Sequence, residues 1–228
     1  MKRGFFFIYV IGFCLVLNAQ KRDFESVKYN TIEKNIADEA SNLFYPKLMK
    51  RFLESDSTFN LKEKRHLYYG YSFDENYSPY GSSDYSDSLR GVLKKEQLKT
   101  NDFKEIIRLG DSILKEEPFD LRTLNYQLYA YENLENRDKF KFRLNQMKVI
   151  IDAIISTGDG EKKKTAFYVL YTSHEYELLN ILGLQFGGRQ SLIEHYDYLT
   201  VAKNDHGIEG MYFEITPCLN SLAKSFRK

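Results

Sequence analysis

From Ser88 to Ile154, apolar residues recur at helical spacing in four successive runs, and no other feature restricts the possible folds as much. Leu89, Val92 and Leu93 begin a short helix. The next presents Phe103, Ile106, Ile107, Gly110, Ile113 and Leu114 on one face, with Asp102 and Glu105 placed as its caps. Pro118 stops it, since proline lacks an N–H and its ring clashes inside a helix. Asp120 caps a third helix with Leu121, Leu124, Leu128 and Tyr131 in line. A fourth carries Phe140, Leu144, Met147, Ile151 and Ile154. Each stripe must be buried, and the short connections favour antiparallel neighbours.

The flanking segments extend this reading. Ser26 to Phe44 reads as a helix through Ile32, Ile36, Ala40 and Leu43, and Pro46 predicts a kink or restart before a second helix to about Leu53. Asp56, Ser57 and Thr58 make a turn. Asn60 and Glu63 have capping-box spacing for a helix from Leu61 to about Tyr69. Gly70 to Gly81 has turn residues and no periodicity, and reads as an ordered, tyrosine-rich loop that Asp84 to Asp87 continue. After Thr157 the pattern changes. Gly158 to Lys164 is a solvated loop, and Thr165 to Tyr171 has strand composition. Thr172 and Glu175 box a short helix that Gly183 terminates. Ser191 to Ala202 and Gly210 to Thr216 are expected strands, joined through the turn chemistry of Asn204 to Gly207, with Pro217 ending the second. The expected fold class is α+β, mainly helical: antiparallel helix pairs followed by a small antiparallel β-sheet with one helix. The expected organisation is a signal peptide over 1–19 and one mature domain over 20–228, helical over 20–157 and α+β over 158–228.

The amino terminus addresses compartment. Lys2 and Arg3 precede an apolar run from Phe5 to Leu17, and Asn18-Ala19-Gln20 returns to polar chain. That order is a secretory signal peptide cleaved after Ala19, too short to span a bilayer comfortably. The expected destination is the periplasm or the exterior. Phe13 before Cys14 is too large for a lipidation box, so no stable membrane anchor is expected. Cys14 leaves with the signal, Cys218 is then alone, and no internal disulfide can form. A lone thiol of this kind is most simply buried. Removing Lys2 and Arg3 leaves 31 basic against 32 acidic residues, without the basic excess that nucleic-acid binding requires.

Two resemblances add to this. Leu89–Glu116 and Asp120–Ile155 are helix–turn–helix units whose length and Pro118 resemble tetratricopeptide repeats, although the small-residue positions then fall on Lys94 and Ile106. Phe44-Tyr45-Pro46-Lys47-Leu48, Leu67-Tyr68-Tyr69-Gly70-Tyr71, Tyr77-Ser78-Pro79-Tyr80, Glu175-Tyr176-Glu177-Leu178-Leu179, Tyr196-Asp197-Tyr198-Leu199 and Gly210-Met211-Tyr212-Phe213 resemble exported Bacteroidetes proteins of the domain of unknown function 4919. That resemblance implies export and a single-unit architecture. It implies no activity.

Catalytic signatures are sparse. His66, His174, His195 and His206 form no metal-binding spacing. Asp205-His206 reads better as a hairpin connection than as a base with its orienter. Cys218 with His195 or His206 lacks any thiol-enzyme signature. Ser191 and Ser221 lack a nucleophile context, and Gly158 to Thr165 has the wrong order for a phosphate loop. No cofactor and no metal are expected.

The candidate binding surface is the tyrosine cluster Tyr68, Tyr69, Tyr71, Tyr77 and Tyr80, with Tyr85 beside it. A tyrosine offers an apolar ring and a polar tip, which suits ligand stacking or partner contact. The competing role, which burial favours, is that half of these rings pack beneath the loop and pin it. The expected function is a protein-interaction or scaffold module with a partner in the cell envelope. The alternatives are a glycan or small-ligand binder using the tyrosine loop and an unrecognised hydrolase.

Overall fold

The computed structural model of the chain describes residues 24–226. The proposed signal peptide lies outside the described residues. Seven helices come first: α1 Tyr29–Ala37, α2 Tyr45–Leu53, α3 Leu61–Gly70, α4 Ser86–Leu93, α5 Thr100–Glu116, α6 Leu121–Asn133 and α7 Arg137–Ile155. A four-stranded sheet follows: β1 Phe167–Tyr168, β2 Phe186–Ile193, β3 Tyr196–Val201 and β4 Gly210–Glu214. Helix α8, Thr172–Ile181, lies between β1 and β2, and α9, Thr216–Ser225, follows β4. The mainly helical α+β fold is therefore as the periodicity predicts.

Local chemistry explains the element ends. The Asn60 carboxamide accepts from the Glu63 N–H at 3.0 Å while the Glu63 carboxylate accepts from the Asn60 N–H at 2.9 Å, so the capping box forms. Asp120 caps α6 by accepting from the Thr123 N–H at 2.7 Å. The expected helix Ser26–Phe44 is shorter, ending at Ala37. There the Asp38 and Ser41 side chains accept from the Ala40 and Leu43 N–H groups, which draws the backbone away from helix. Pro46 then sits in the first turn of α2, a restart rather than a kink. Helix α5 begins at Thr100, so Asp102 lies in its first turn and accepts from the Lys99 N–H at 2.8 Å. Thr172 does not cap α8, and Glu175 turns into the interior instead.

The helices pack in succession, α4 on α5, α5 on α6 and α6 on α7, while α3 crosses α7 and holds α1 and α2. Leu89, Phe103, Ile106, Leu109, Ile113 and Ala130 form one apolar cluster between α4, α5 and α6. A larger core runs from Ile32 and Leu48 through Tyr68, Phe119 and Ile150 to Leu199 and Phe213, so it joins helices and sheet without a break.

The sheet corrects the expectation in four ways. Its order is β1-β4-β3-β2, and β1 pairs parallel with β4, so it is mixed rather than antiparallel. The expected strand Thr165–Tyr171 shrinks to Phe167–Tyr168 because the Leu170 N–H leaves the ladder and donates to the Tyr68 hydroxyl at 3.0 Å. The expected strand Ser191–Ala202 is two strands, β2 and β3, with a turn at Glu194-His195 where Glu194 adopts φ +63°. Finally, Pro217 opens helix α9 rather than merely ending a strand, so two helices accompany the sheet.

Candidate functional site

The five candidate tyrosines do not form one surface. Tyr68 and Tyr69 are fully buried. The Tyr68 hydroxyl accepts from Leu170 N–H and donates to His174 Nδ1 at 2.7 Å, and His174 Nε2–H donates to the Phe119 carbonyl at 2.9 Å. That chain of partners assigns a neutral imidazole. Burial pushes the His174 pKa down to about 3, consistent with that form. The Tyr69 hydroxyl donates to the Ala153 carbonyl at 3.1 Å. Tyr77 is half-buried and donates to the Leu170 carbonyl at 2.6 Å, which pins the loop. Tyr80 is half exposed. Tyr71 is buried between Phe119 and Tyr77, with T-shaped contacts to both rings.

Tyr71 alone of the five lines a cleft of about 1000 Å³. One wall is the loop after α3, through Asp74, Asn76, Ser78 and Ser82. Opposite lie Met49 and Leu53 of α2 and Lys139, Phe142, Arg143 and Gln146 of α7. The carboxyl end of α5 and the turn that Pro118 enforces, from Leu114 to Pro118, complete it with Tyr171. The sequence builds that turn directly. The Glu117 N–H closes α5 on the Ile113 carbonyl at 2.8 Å, Pro118 prevents continuation, and Asp120 restarts helix.

The two sides of the cleft carry different charge. On the α7 side, Arg143 donates to Asp111 at 2.6 Å and to Gln146 at 2.7 Å, while the Gln146 amide donates to the Phe52 carbonyl at 3.0 Å. The Arg143 charge is thus already paired. Lys139 lies 5.5 Å from the centre of the Phe142 ring. On the side of the turn, the half-buried Glu117 carboxyl is pushed up to about 7, by burial first and then by Asp120 and Glu116, against the Ser83 backbone N–H. The Tyr71 hydroxyl is pushed up to about 12 by burial, then by Asp74, with Glu117 adding and the neighbouring Tyr171 hydroxyl opposing. Glu117, Tyr71 and Tyr171 therefore act on one another at one corner.

A second polar group lies away from the cleft lining. Glu175 of α8 is fully buried, and neither carboxyl oxygen takes a hydrogen bond from a protein donor. Asp197 of β3 is buried beside it and accepts from Gln190 at 2.6 Å, and Gln190 in turn accepts from the Tyr176 hydroxyl at 2.6 Å. Burial pushes Glu175 up to about 9, with Asp197 adding. At that value Glu175 is protonated at neutral pH, so one oxygen carries a proton to set against Asp197 while the other stays without a donor.

The remaining sequence candidates are placed elsewhere. Asp205 and His206 are exposed in the β3–β4 connection, where the His206 N–H donates to Asn204 at 3.0 Å. Cys218 is buried, donates to the Leu170 carbonyl at 3.2 Å, and has its thiol pushed up to about 12, by burial first. Among the described residues, no three His, Cys, Asp or Glu side chains are disposed to hold a metal ion. No helix among them is long and apolar enough to cross a membrane.

Sequence reasoning did not single out Glu117, Phe142, Tyr171, Glu175 or Asp197 as site residues. For Glu117 a clue existed, since the residue before a proline is driven out of the helical conformation, and Glu117 leaves α5 there with φ −124° and ψ 75°. Tertiary packing alone brings Phe142 and Tyr171 to the cleft and, elsewhere, sets Glu175 beside Asp197.

A family model described as a domain of unknown function, DUF4919, matches residues 30–224, and the chain belongs to that family. Searches of curated proteins and of solved structures found no match.

Proposed function

We propose that this member of the family is an exported interaction module that takes a segment of its partner in the cleft between the tyrosine loop and α7. The observation that carries this reading is the cleft itself, an opening of about 1000 Å³ with apolar, aromatic and charged walls. Such a mixture suits recognition, where apolar surface supplies affinity and a few polar groups fix orientation. The loop that forms one wall is fastened by Tyr77, so the site is largely built before a ligand arrives, which lowers the entropy lost on binding. A small ligand such as a glycan is the second reading, favoured by the same volume and by Tyr71 and Tyr171 in the wall.

Amine-reactive crosslinking in the native cell envelope, mapped by mass spectrometry, tests the first reading. Lys115 and Lys139 are exposed at the cleft, whereas Lys203 and Lys224 are exposed outside its lining. The expected result is partner crosslinks at Lys115 and Lys139. Partner crosslinks confined to Lys203 and Lys224 would overturn the assignment of the face.

A further inference from the structure

Glu117 is a half-buried carboxyl that makes no ion pair among the described residues. The charges that act on it, Asp120 and Glu116, are both acids. Arg143, across the cleft, is committed to Asp111 at 2.6 Å, and Lys139 stands over Phe142. Asp120 is itself bound to the helix it caps, and Lys115 is exposed and makes no ion pair among the described residues. A carboxylate that is partly desolvated among like charges is costly, and a group that neutralises it is favoured correspondingly. The corner is also aromatic, since Tyr71 and Tyr171 line it. Both rings are buried, so they bound the corner with low-dielectric surface, which strengthens an ion pair made at Glu117.

Resting on the cleft as the binding surface, we infer that the partner segment presents a lysine or arginine side chain whose cation docks against Glu117, Tyr71 and Tyr171. The bound cation favours ionised Glu117, so binding releases a proton wherever the free carboxyl is protonated. The half-ionisation of free Glu117 near pH 7 places that coupling in the physiological range. Affinity rises with pH, by about tenfold from pH 6 to pH 8, because the ionised fraction of a group titrating near 7 rises by about that factor.

The test uses three peptides with blocked ends, Gly-Lys-Gly, its acetyl-lysine form and Gly-Glu-Gly, titrated into the full mature chain while amide resonances are followed by NMR. The lysine peptide is expected to shift resonances at Tyr71, Glu117 and Tyr171, to bind at least tenfold more tightly than the other two at pH 8, and to lose that margin at pH 6. Glu117→Gln, with its spectrum otherwise unchanged, is expected to abolish both the preference and the pH dependence. If all three peptides shift the cleft equally, the cationic inference fails while the cleft stands as a binding surface. If none shifts it, both fail. If Glu117→Gln retains the lysine preference, Glu117 is not the recognition group and the inference is overturned.

Discussion

Replacing Glu175 by glutamine should flatten the dependence of stability on pH. Glu175 is fully buried beside Asp197, and its carboxyl titrates near 9 in the folded chain against about 4.5 when exposed. The fold therefore holds a proton that the unfolded chain gives up. A raised carboxyl pKa contributes stability that is complete below the unfolded value and is lost as pH climbs toward the folded one. Within that window the loss is about 1.4 kcal/mol per pH unit, so between roughly pH 5.5 and pH 8.5 this one group removes about 4 kcal/mol. Glutamine has the same shape, stays neutral at every pH, and keeps an N–H donor for Asp197. Burial also raises Glu117, Glu177 and Glu214, but those contributions cancel when variant is compared with wild type. Urea unfolding followed by circular dichroism at several pH values reads the difference directly. Wild type should lose stability faster than Glu175→Gln by about 1 kcal/mol per pH unit or more across the window. Parallel curves would show that Glu175 ionises normally in the fold and would refute the shared proton.

Four further outcomes follow from the same geometry. Tyr68→Phe should cost about 2 kcal/mol in chemical denaturation, because Leu170 N–H and His174 Nδ1 both lose a buried partner. Arg122→Ala should cost about 2 kcal/mol by stranding Glu177, whose side chain is 9% exposed and accepts from Arg122 at 2.7 Å, and adding Glu177→Gln should recover much of the loss. Gly158→Ala should lower the thermal midpoint, since a Cβ there would collide with the Thr165 carbonyl, whereas Gly91→Ala on exposed α4 meets nothing and should gain about 0.5–1 kcal/mol. The Cys218 thiol, buried and pushed up to about 12, should react with a thiol reagent at least about a hundredfold more slowly in the native chain than in urea, as read by peptide mapping.

What the sequence showed, and what it hid, divides by the range of the interaction responsible. The box at Asn60 and Glu63 and the cap at Asp120 involve residues three apart, so their spacing alone announces them. The α5 stripe is long and regular and buries the face the pattern marks, whereas α7 buries Gln146, Val149, Ile150 and Ala153 with Met147 and Ile154 and leaves Phe140, Leu144 and Ile151 only partly covered. The turn at Glu194-His195 was invisible because neither residue is glycine, asparagine or proline, and only the pairing of β2 with β3 holds Glu194 at positive φ. Strand β1 could not be recognised as a parallel edge, because its length is set by Tyr68 reaching from α3 to Leu170. Glu175 reads as part of a cap from its distance to Thr172, yet it is buried beside Asp197 of β3. The tyrosine cluster shows the limit most clearly. Its sequence density marks the region, but only packing sends Tyr68 and Tyr69 inward, fastens Tyr77 and leaves Tyr71 in the wall of the cleft.

The most direct measurement is crystallographic. Crystals of the mature chain soaked with a diverse set of small fragments would report where ligands accumulate on the whole surface. The cleft account predicts that bound fragments cluster against Tyr71, Phe142 and Tyr171, with amine-bearing fragments placing their nitrogen at Glu117. Fragments gathering at other faces, with the cleft holding only solvent, would contradict it.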